Sequence, residues 1–263
     1  MTQGVYILTG QIAQSTDLTR GPWDPNAQHG GAPAALLARI IERESWPQAV
    51  VRITVEFLHA VPLTPLEIQV KGEAGRSVGQ WMASVSTEGR IMARAHALSG
   101  KSNPDDIVLS RTPVGERLDF PDHNQPLHIP GMPEQRSFYY TAMEAKLATG
   151  TVAEPGPAAA WFRLRSPLIA DEEPTPLVRV VAAADFASGI SWVLPFGPYR
   201  YANADLTIYL DRMPEGEWIG VDAITRIATP GIGVTTTRLF DRDGLVGGAH
   251  QTLIIRRGTA PIP

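Results

Sequence analysis

The 263-residue sequence contains no cysteine. That excludes a disulfide framework, a thiolate nucleophile and a zinc site built on cysteine. It also lacks a Gly-x-Ser-x-Gly elbow, so covalent serine hydrolysis of that type has no candidate. No run of about 18 apolar residues is present to span a membrane. The first residues (Met1-Thr-Gln-Gly-Val-Tyr-Ile-Leu-Thr9) show no basic segment followed by a long apolar one, so no signal peptide is expected. Positive charge is not in excess either: the formal net charge is −4, which argues against a nucleic-acid partner. Six histidines are present, but none pair at metal-ligand spacing, and no metal site is expected. The glycine turns Lys71–Gly75 and Thr229–Gly233 lack the spacing of a P-loop or a dinucleotide fingerprint. These absences leave a cytoplasmic protein without membrane or nucleic-acid partners as the expectation.

What is present is ordinary for a globular chain: 43% hydrophobic and 19% charged residues. The length suits two domains of about 130 residues or one large fold with a sizeable core. The most informative stretch is Thr175–Gly189. Thr175 is a helix cap, Pro176 suits the first helical position, and Gly189 is a natural stop. Leu177, Val180, Val181, Ala184 and Ser188 fall along one face at helical spacing. Asp185 sits at the edge of that face. A carboxylate there is costly unless paired or used, so it is either a hydrogen-bonded structural residue or a working acid/base.

A second helix is expected from about Ala32, with Pro33 in its first turn and Leu36, Leu37, Ile40 and Ile41 on one face. Strands are read around Val5–Thr9, Ile53–Phe57, Leu66–Val70, Trp81–Val85 and Ile91–Ala97, with a hairpin turn at Thr87–Arg90. Residues 101–137 are rich in proline and break the pattern, as an irregular surface connection would. The order then repeats. Residues 138–147 and 160–165 read as strands, then comes the Asp185 helix, then strands at Leu206–Leu210, Trp218–Asp222, Val234–Leu239 and Val246–Ile255. The copies are offset by about 153–155 residues, which is a domain duplication rather than a solenoid. Overlaying Gly89 on Gly244 puts His96 opposite Gln251. The carboxylates of Asp241-Arg-Asp-Gly244 lack the other ligands of a calcium loop and read as a hairpin turn. His29-Gly-Gly-Ala-Pro33 places two glycines before a helix. Either a ligand approaches the backbone there or the loop is simply tight.

The Gly-Gly-x-Pro helix start, the Val51–Leu58 strand, the Ala-Ala-Asp185-Phe-Ala-Ser-Gly segment and the Phe-Asp-Arg-Asp-Gly…His-Gln-Thr-Leu-Ile-Ile-Arg ending together resemble the thioesterase-like superfamily, related to the acyl-CoA thioesterase II family. The resemblance implies an α+β double hotdog, two tandem units that each wrap an antiparallel sheet around a long helix. The expected boundaries are 1–100, a linker at 101–137, and 138–263. It implies hydrolysis of acyl-CoA or a related acyl thioester, without a cofactor and without a metal. The family's water-positioning Asp and Gln match Asp185 and Gln251. Its Thr or Ser falls at Asn203, a departure, because an amide cannot replace a hydroxyl as both donor and acceptor at one atom. Gly30 and Gly31 are candidates for oxyanion donors and substrate contact. Trp192, Phe196 and Tyr199 either line an acyl tunnel or pack the core. The family also implies a homo-oligomer, dimer or tetramer. Two rival functions remain on the same scaffold: a non-catalytic acyl or small-ligand binder, favoured by Asn203, and an acyl-CoA hydratase or dehydratase.

Overall fold

The computed structural model describes residues 4–101, 116–122, 127–129, 134–196 and 198–258. His123 and the prolines at 104, 113, 126, 130 and 133 lie outside them. The first elements are a hairpin of β1 (Tyr6–Thr9) and β2 (Ile12–Ser15), then helix α1 (Gly31–Ser45). Strands β3 (Ala49–Phe57), β4 (Leu66–Ala74), β5 (Val78–Thr87) and β6 (Arg90–Gly100) follow. After the connection come β7 (Met143–Gly150), β8 (Ala158–Leu164), helices α2 (Pro176–Ala184) and α3 (Ala187–Ile190), and strands β9 (Tyr199–Asn203), β10 (Asp205–Leu210), β11 (Ile219–Thr229), β12 (Ile232–Asp241) and β13 (Gly244–Arg257).

The strands join one antiparallel sheet in the order β1-β2-β4-β5-β6-β3-β10-β13-β12-β11-β8-β7, with β9 added on β13. Outward from its middle, the two directions repeat one another: β3-β6-β5-β4 on one side, β10-β13-β12-β11 on the other. At the junction Thr54 lies opposite Thr207, 153 residues away, and their hydroxyls are 3.1 Å apart. A matching pair facing itself across an antiparallel ladder marks a local two-fold axis.

Alternation explains the strands. On β3, Val50, Ile53 and Val55 are buried; on β10, Leu206, Ile208 and Leu210 are. In α1 the predicted face is buried as a block (Leu36, Leu37, Ile40, Ile41). Each such side chain contributes about 1.5–3 kcal/mol of hydrophobic stabilisation. Helix α1 packs on α2 and on β3 to β6, and α2 packs on β8 and β10 to β12. One large core results, with a smaller cluster of Tyr201, Leu253 and Ile255 apart from it. At the far ends of the two helices, the Thr175 hydroxyl donates to Glu42 Oε2 at 2.8 Å, and Arg39 pairs with Glu42 and Glu172. Burial raises the Glu42 carboxyl above its ordinary value, against the opposing effects of Thr175 and Arg39.

Four expectations need correction. The Thr175–Gly189 helix is not continuous: α2 ends at Ala184, and a tight turn in which the Phe186 N–H donates to the Ala183 carbonyl (3.1 Å) separates it from α3, which contains Gly189. Residues Phe138–Ala142 form a π-helical turn, not the start of a strand. The described parts of the 101–137 connection are irregular as expected but not all on the surface. Leu127 and Ile129 are buried, and the Asp119 carbonyl accepts from Trp161 Nε1 at 2.9 Å. Finally, the β5–β6 and β12–β13 hairpins carry the same bulge. Pairing runs Thr87–Arg90 and Ser86–Ile91 before it shifts, and Asp241–Gly244 and Phe240–Leu245 before it shifts. That register makes His250 the counterpart of exposed His96, and Gln251 the counterpart of buried Ala97. The overlay from sequence was one residue off, which in a strand puts a side chain on the wrong face.

Candidate active site

The break after α2 is what presents Asp185. Thr175 Oγ1 accepts from the Val178 N–H, Pro176 starts the helix, and Leu177 to Ala184 are buried, apart from half-buried Arg179. The turn ends the helix on the carboxylate, which is only 4% exposed. The Phe186 ring holds this turn in place. It stacks on Phe162 (centroids 4.8 Å) and on the His29 ring (4.4 Å).

Both carboxylate oxygens of Asp185 have partners. Oδ1 accepts from Asn203 Nδ2 at 2.8 Å and from Gln251 Nε2 at 3.3 Å. Gln251 Nε2 also reaches the Asp185 carbonyl at 3.4 Å. Gln251 Oε1 is buried with no hydrogen-bond partner among the described residues. Asn203 is itself held, since the Ser188 hydroxyl donates to its Oδ1 at 3.1 Å. Oδ2 faces the start of α1: His29 Nδ1 is 3.1 Å away, and the same nitrogen accepts from the Gly31 N–H at 3.1 Å. The close approach explains Gly30. A Cβ added there would meet Asp185 Oδ2 at 2.8 Å and Phe57 at 3.1 Å, so the position demands space rather than an unusual backbone angle. At Gly31 a Cβ would meet the Ala182 carbonyl and Phe138 at 3.0 Å.

The loop before α1 is anchored deeply. The His29 N–H donates to the Thr19 carbonyl, and the Gln28 N–H to the Val61 carbonyl, each at 2.8 Å. The Gln28 side chain donates to Ser15 Oγ and the Pro62 carbonyl and accepts from the Tyr6 hydroxyl. Burial holds that phenol well above its usual range.

Asp185 lies in the wall of a cavity of about 690 Å³, a size that suits a small-molecule ligand. His29, Gly30, Phe57, Val61, Phe186, Ser188, Phe196, Tyr201 and Asn203 line it. Of the sequence candidates, Asp185, Asn203, Gly30 and Phe196 therefore share this wall. Gln251 and Gly31 sit behind it. Trp192 does not line it. It packs behind Phe196 (centroids 5.8 Å), and its Nε1 donates to the Val152 carbonyl. Tyr199 does not either; it sits on β9, opposite Arg257 on β13. Three residues at the site escaped the sequence reading of its chemistry: His29, Ser188 and Tyr201. The first stood in a motif already noticed, and its histidine was the available signal.

The Asp241 carboxylate is used in its turn. It accepts from the Asp243 and Gly244 N–H groups (2.9 and 3.1 Å) and from the Glu215 N–H, and it pairs with Arg212. Burial alone would raise it, but these donors outweigh that and hold it below the ordinary value. Among the described residues, no group of three or more His, Cys, Asp or Glu is arranged to hold a metal, and no helix is long and apolar enough to cross a membrane.

Comparison with known proteins agrees with this architecture. Residues 19–100 match the family model of the acyl-CoA thioesterase N-terminal domain, and residues 118–255 match that of the acyl-CoA thioesterase C-terminal domain. No curated protein sequence matches the chain. Among solved structures, a conserved protein with a hot dog fold from Alicyclobacillus acidocaldarius superposes with a TM-score of 0.75 at 16% identity, covering 97% of this chain and 96% of that one. An acyl-CoA thioesterase II from Mycobacterium marinum does so with a TM-score of 0.64 at 17% identity, covering 96% and 94%. The C-terminal model alone spans more than half of the sequence, and the chain accordingly belongs to the acyl-CoA thioesterase family and is a thioester hydrolase.

Proposed function

We propose that the chain hydrolyses acyl-CoA by a water activated at Asp185. The observation that supports this most is the set of contacts on one buried carboxylate at the wall of the cavity. Asn203 and Gln251 fix Oδ1. Oδ2 is left toward His29 and Gly30. Gln251 lies behind the cavity wall and holds Oδ1, so the attacking water is placed at Oδ2, which faces the cavity wall at Gly30.

In the proposed reaction Oδ2 takes a proton from this water as its oxygen bonds to the acyl carbonyl carbon. The carbonyl oxygen becomes an oxyanion, and the Gly30 N–H, which has no acceptor among the described residues, donates to it. Collapse of the tetrahedral intermediate breaks the C–S bond, and Asp185 returns the proton to the leaving sulfur. The products are a carboxylic acid and the free thiol. His29 is a positioning residue. Its Nδ1, 3.1 Å from both Oδ2 and the Gly31 nitrogen, ties the start of α1 to the carboxylate and fixes where Oδ2 points. Ser188 brings a hydroxyl to the site where Asn203 departs from the family pattern, and it fixes the Asn203 amide.

The mirrored strand order and the facing Thr54–Thr207 pair support a double hotdog with units at 1–100 and 138–263 and a connection at 101–137. Exposed apolar side chains on several strands, Val51, Ile91, Tyr209 and Leu245 among them, support a homo-oligomer, which sedimentation velocity tests. The activity is tested by thiol release from acyl-CoAs of short to long chain. Asp185→Asn is expected to lower kcat about 10²–10⁴-fold with folding intact. Equal turnover by both proteins removes Asp185 from the mechanism. Binding without turnover by either one makes the protein a binder.

A further inference from the structure

Part of the cavity wall is basic. Arg200 on β9 and Arg256 and Arg257 at the end of β13 all line it. All three are exposed, and none forms an ion pair among the described residues. Arg200 and Arg256 are direct cross-strand partners. Like charges directly opposed on a ladder repel, and the sheet offers them no carboxylate there. Exposed Arg76, Arg117 and Arg226 are likewise outside any ion pair among the described residues, but they do not line the cavity. Arg94, Arg163, Arg179, Arg212 and Arg238 each pair with an acidic side chain. The chain as a whole carries a formal charge of −4, so this concentration of positive charge runs against the average. Of the other charged side chains on the cavity wall, Asp185 is engaged by Asn203 and His29, and the Asp24 carboxylate accepts from the Asn26 N–H in its own loop.

Resting on the thioesterase reading, we propose that Arg200, Arg256 and Arg257 form the subsite for the phosphates of the coenzyme A carrier. Guanidinium groups present planar forks that match phosphate oxygens two bonds at a time, and a polyanion between Arg200 and Arg256 turns their repulsion into attraction. The acyl thioester then lies on the wall lined by Phe57, Phe186 and Phe196, beside Asp185, and the nucleotide end lies on the β9–β13 edge. The carrier is thus recognised by its charge and the acyl group by apolar contact.

Calorimetry with free coenzyme A, coenzyme A lacking its ribose phosphate, and pantetheine tests this without relying on turnover. The wild type is expected to bind coenzyme A at least about 10-fold more tightly than pantetheine, with the dephosphorylated form between them, and this preference should weaken as salt rises. Arg256→Gln and Arg200→Gln are each expected to shrink the preference several-fold. Arg226→Gln, an exposed arginine of β11 away from the cavity wall, serves as the charge control and should not. Equal affinity for coenzyme A and pantetheine, or a preference that survives both cavity variants, overturns the assignment. Thiol release from an acyl-pantetheine reads the hydrolytic reading separately. Its absence would count against the chemistry at Asp185 and leave the binding result to decide the arginines.

Discussion

The two halves of the sheet share a strand order and even a hairpin bulge, yet matching positions hold opposite chemistry. Where the second half places buried Gln251, the first places buried Ala97. Where Asn203 pairs with Leu253, the first half has Val50 paired with Ser99. The helices differ in the same sense. α1 runs unbroken from Gly31 to Ser45, while α2 stops at Ala184 and turns a carboxylate toward the start of α1. One half thus contributes the His29–Gly30 start of its helix, where the absence of a Cβ at Gly30 lets the carboxylate approach. The other replaces apolar positions by a mutually hydrogen-bonded Asp, Asn and Gln. Polar groups survive at core-facing positions when they satisfy one another, and the site exists only where the halves meet.

That contrast can be broken from either side. The largest effect after loss of Asp185 itself is expected from Gly30→Ala. Its Cβ would come within 2.8 Å of Asp185 Oδ2, and the carboxylate must move. Steady-state kinetics should show kcat/KM falling about 10²-fold, the scale of an ångström-sized misplacement, with an unchanged circular dichroism spectrum. Placing the second half's amide in the first half, by Ala97→Gln, should do the reverse. No carboxylate is there to receive it, and an unpaired buried amide costs about 1–3 kcal/mol. Urea unfolding should show that loss, while turnover per folded molecule stays the same. The smallest effect concerns the hairpins that frame the comparison. Thr87–Arg90 turns through positive φ at Glu88 and Gly89, whereas Asp241–Gly244 depends on the Asp241 carboxylate. Asp241→Asn should cost about 1–2 kcal/mol at neutral pH, because an amide oxygen still accepts from the Asp243 and Gly244 N–H groups while the amide nitrogen can no longer accept from Glu215 or pair with Arg212. The Asp241 carboxyl is held below its ordinary value of 3.8 in the folded state. Its stabilisation is therefore complete above that value and is lost as pH falls through the lowered one. Unfolding measured across an acid series should show wild type and variant converging at the acid end.

The fold was legible because strand alternation and the repeated order depend only on local pattern. Leu206, Ile208 and Leu210 announce a strand wherever it sits. The break at Asp185 was not, since Val-Val-Ala-Ala-Ala carries no stop signal and what holds the turn, Phe186 on Phe162 and Asp185 on Asn203 and Gln251, is contact with other segments. Aligning the halves failed by one residue because the hairpins were anchored on glycines that play different parts. Gly89 is the second residue of its turn, and Gly244 begins its strand. At the site, Asp185 was legible as a carboxylate in an apolar helix, but Asn203 and Gln251 came from family resemblance, not from spacing. His29 became visible only when the start of α1 was seen against α2. The arginines needed the β9–β13 pairing, a contact between segments more than fifty residues apart.

In the proposed reaction a water, not the carboxylate itself, attacks the thioester. A single turnover with enzyme in excess, run in heavy-oxygen water and analysed by mass spectrometry of product and protein, tests this directly. The prediction is one heavy oxygen in the released carboxylic acid, with the peptide containing Asp185 unlabelled and unacylated. An acyl adduct on Asp185, or label within its carboxylate, would contradict it.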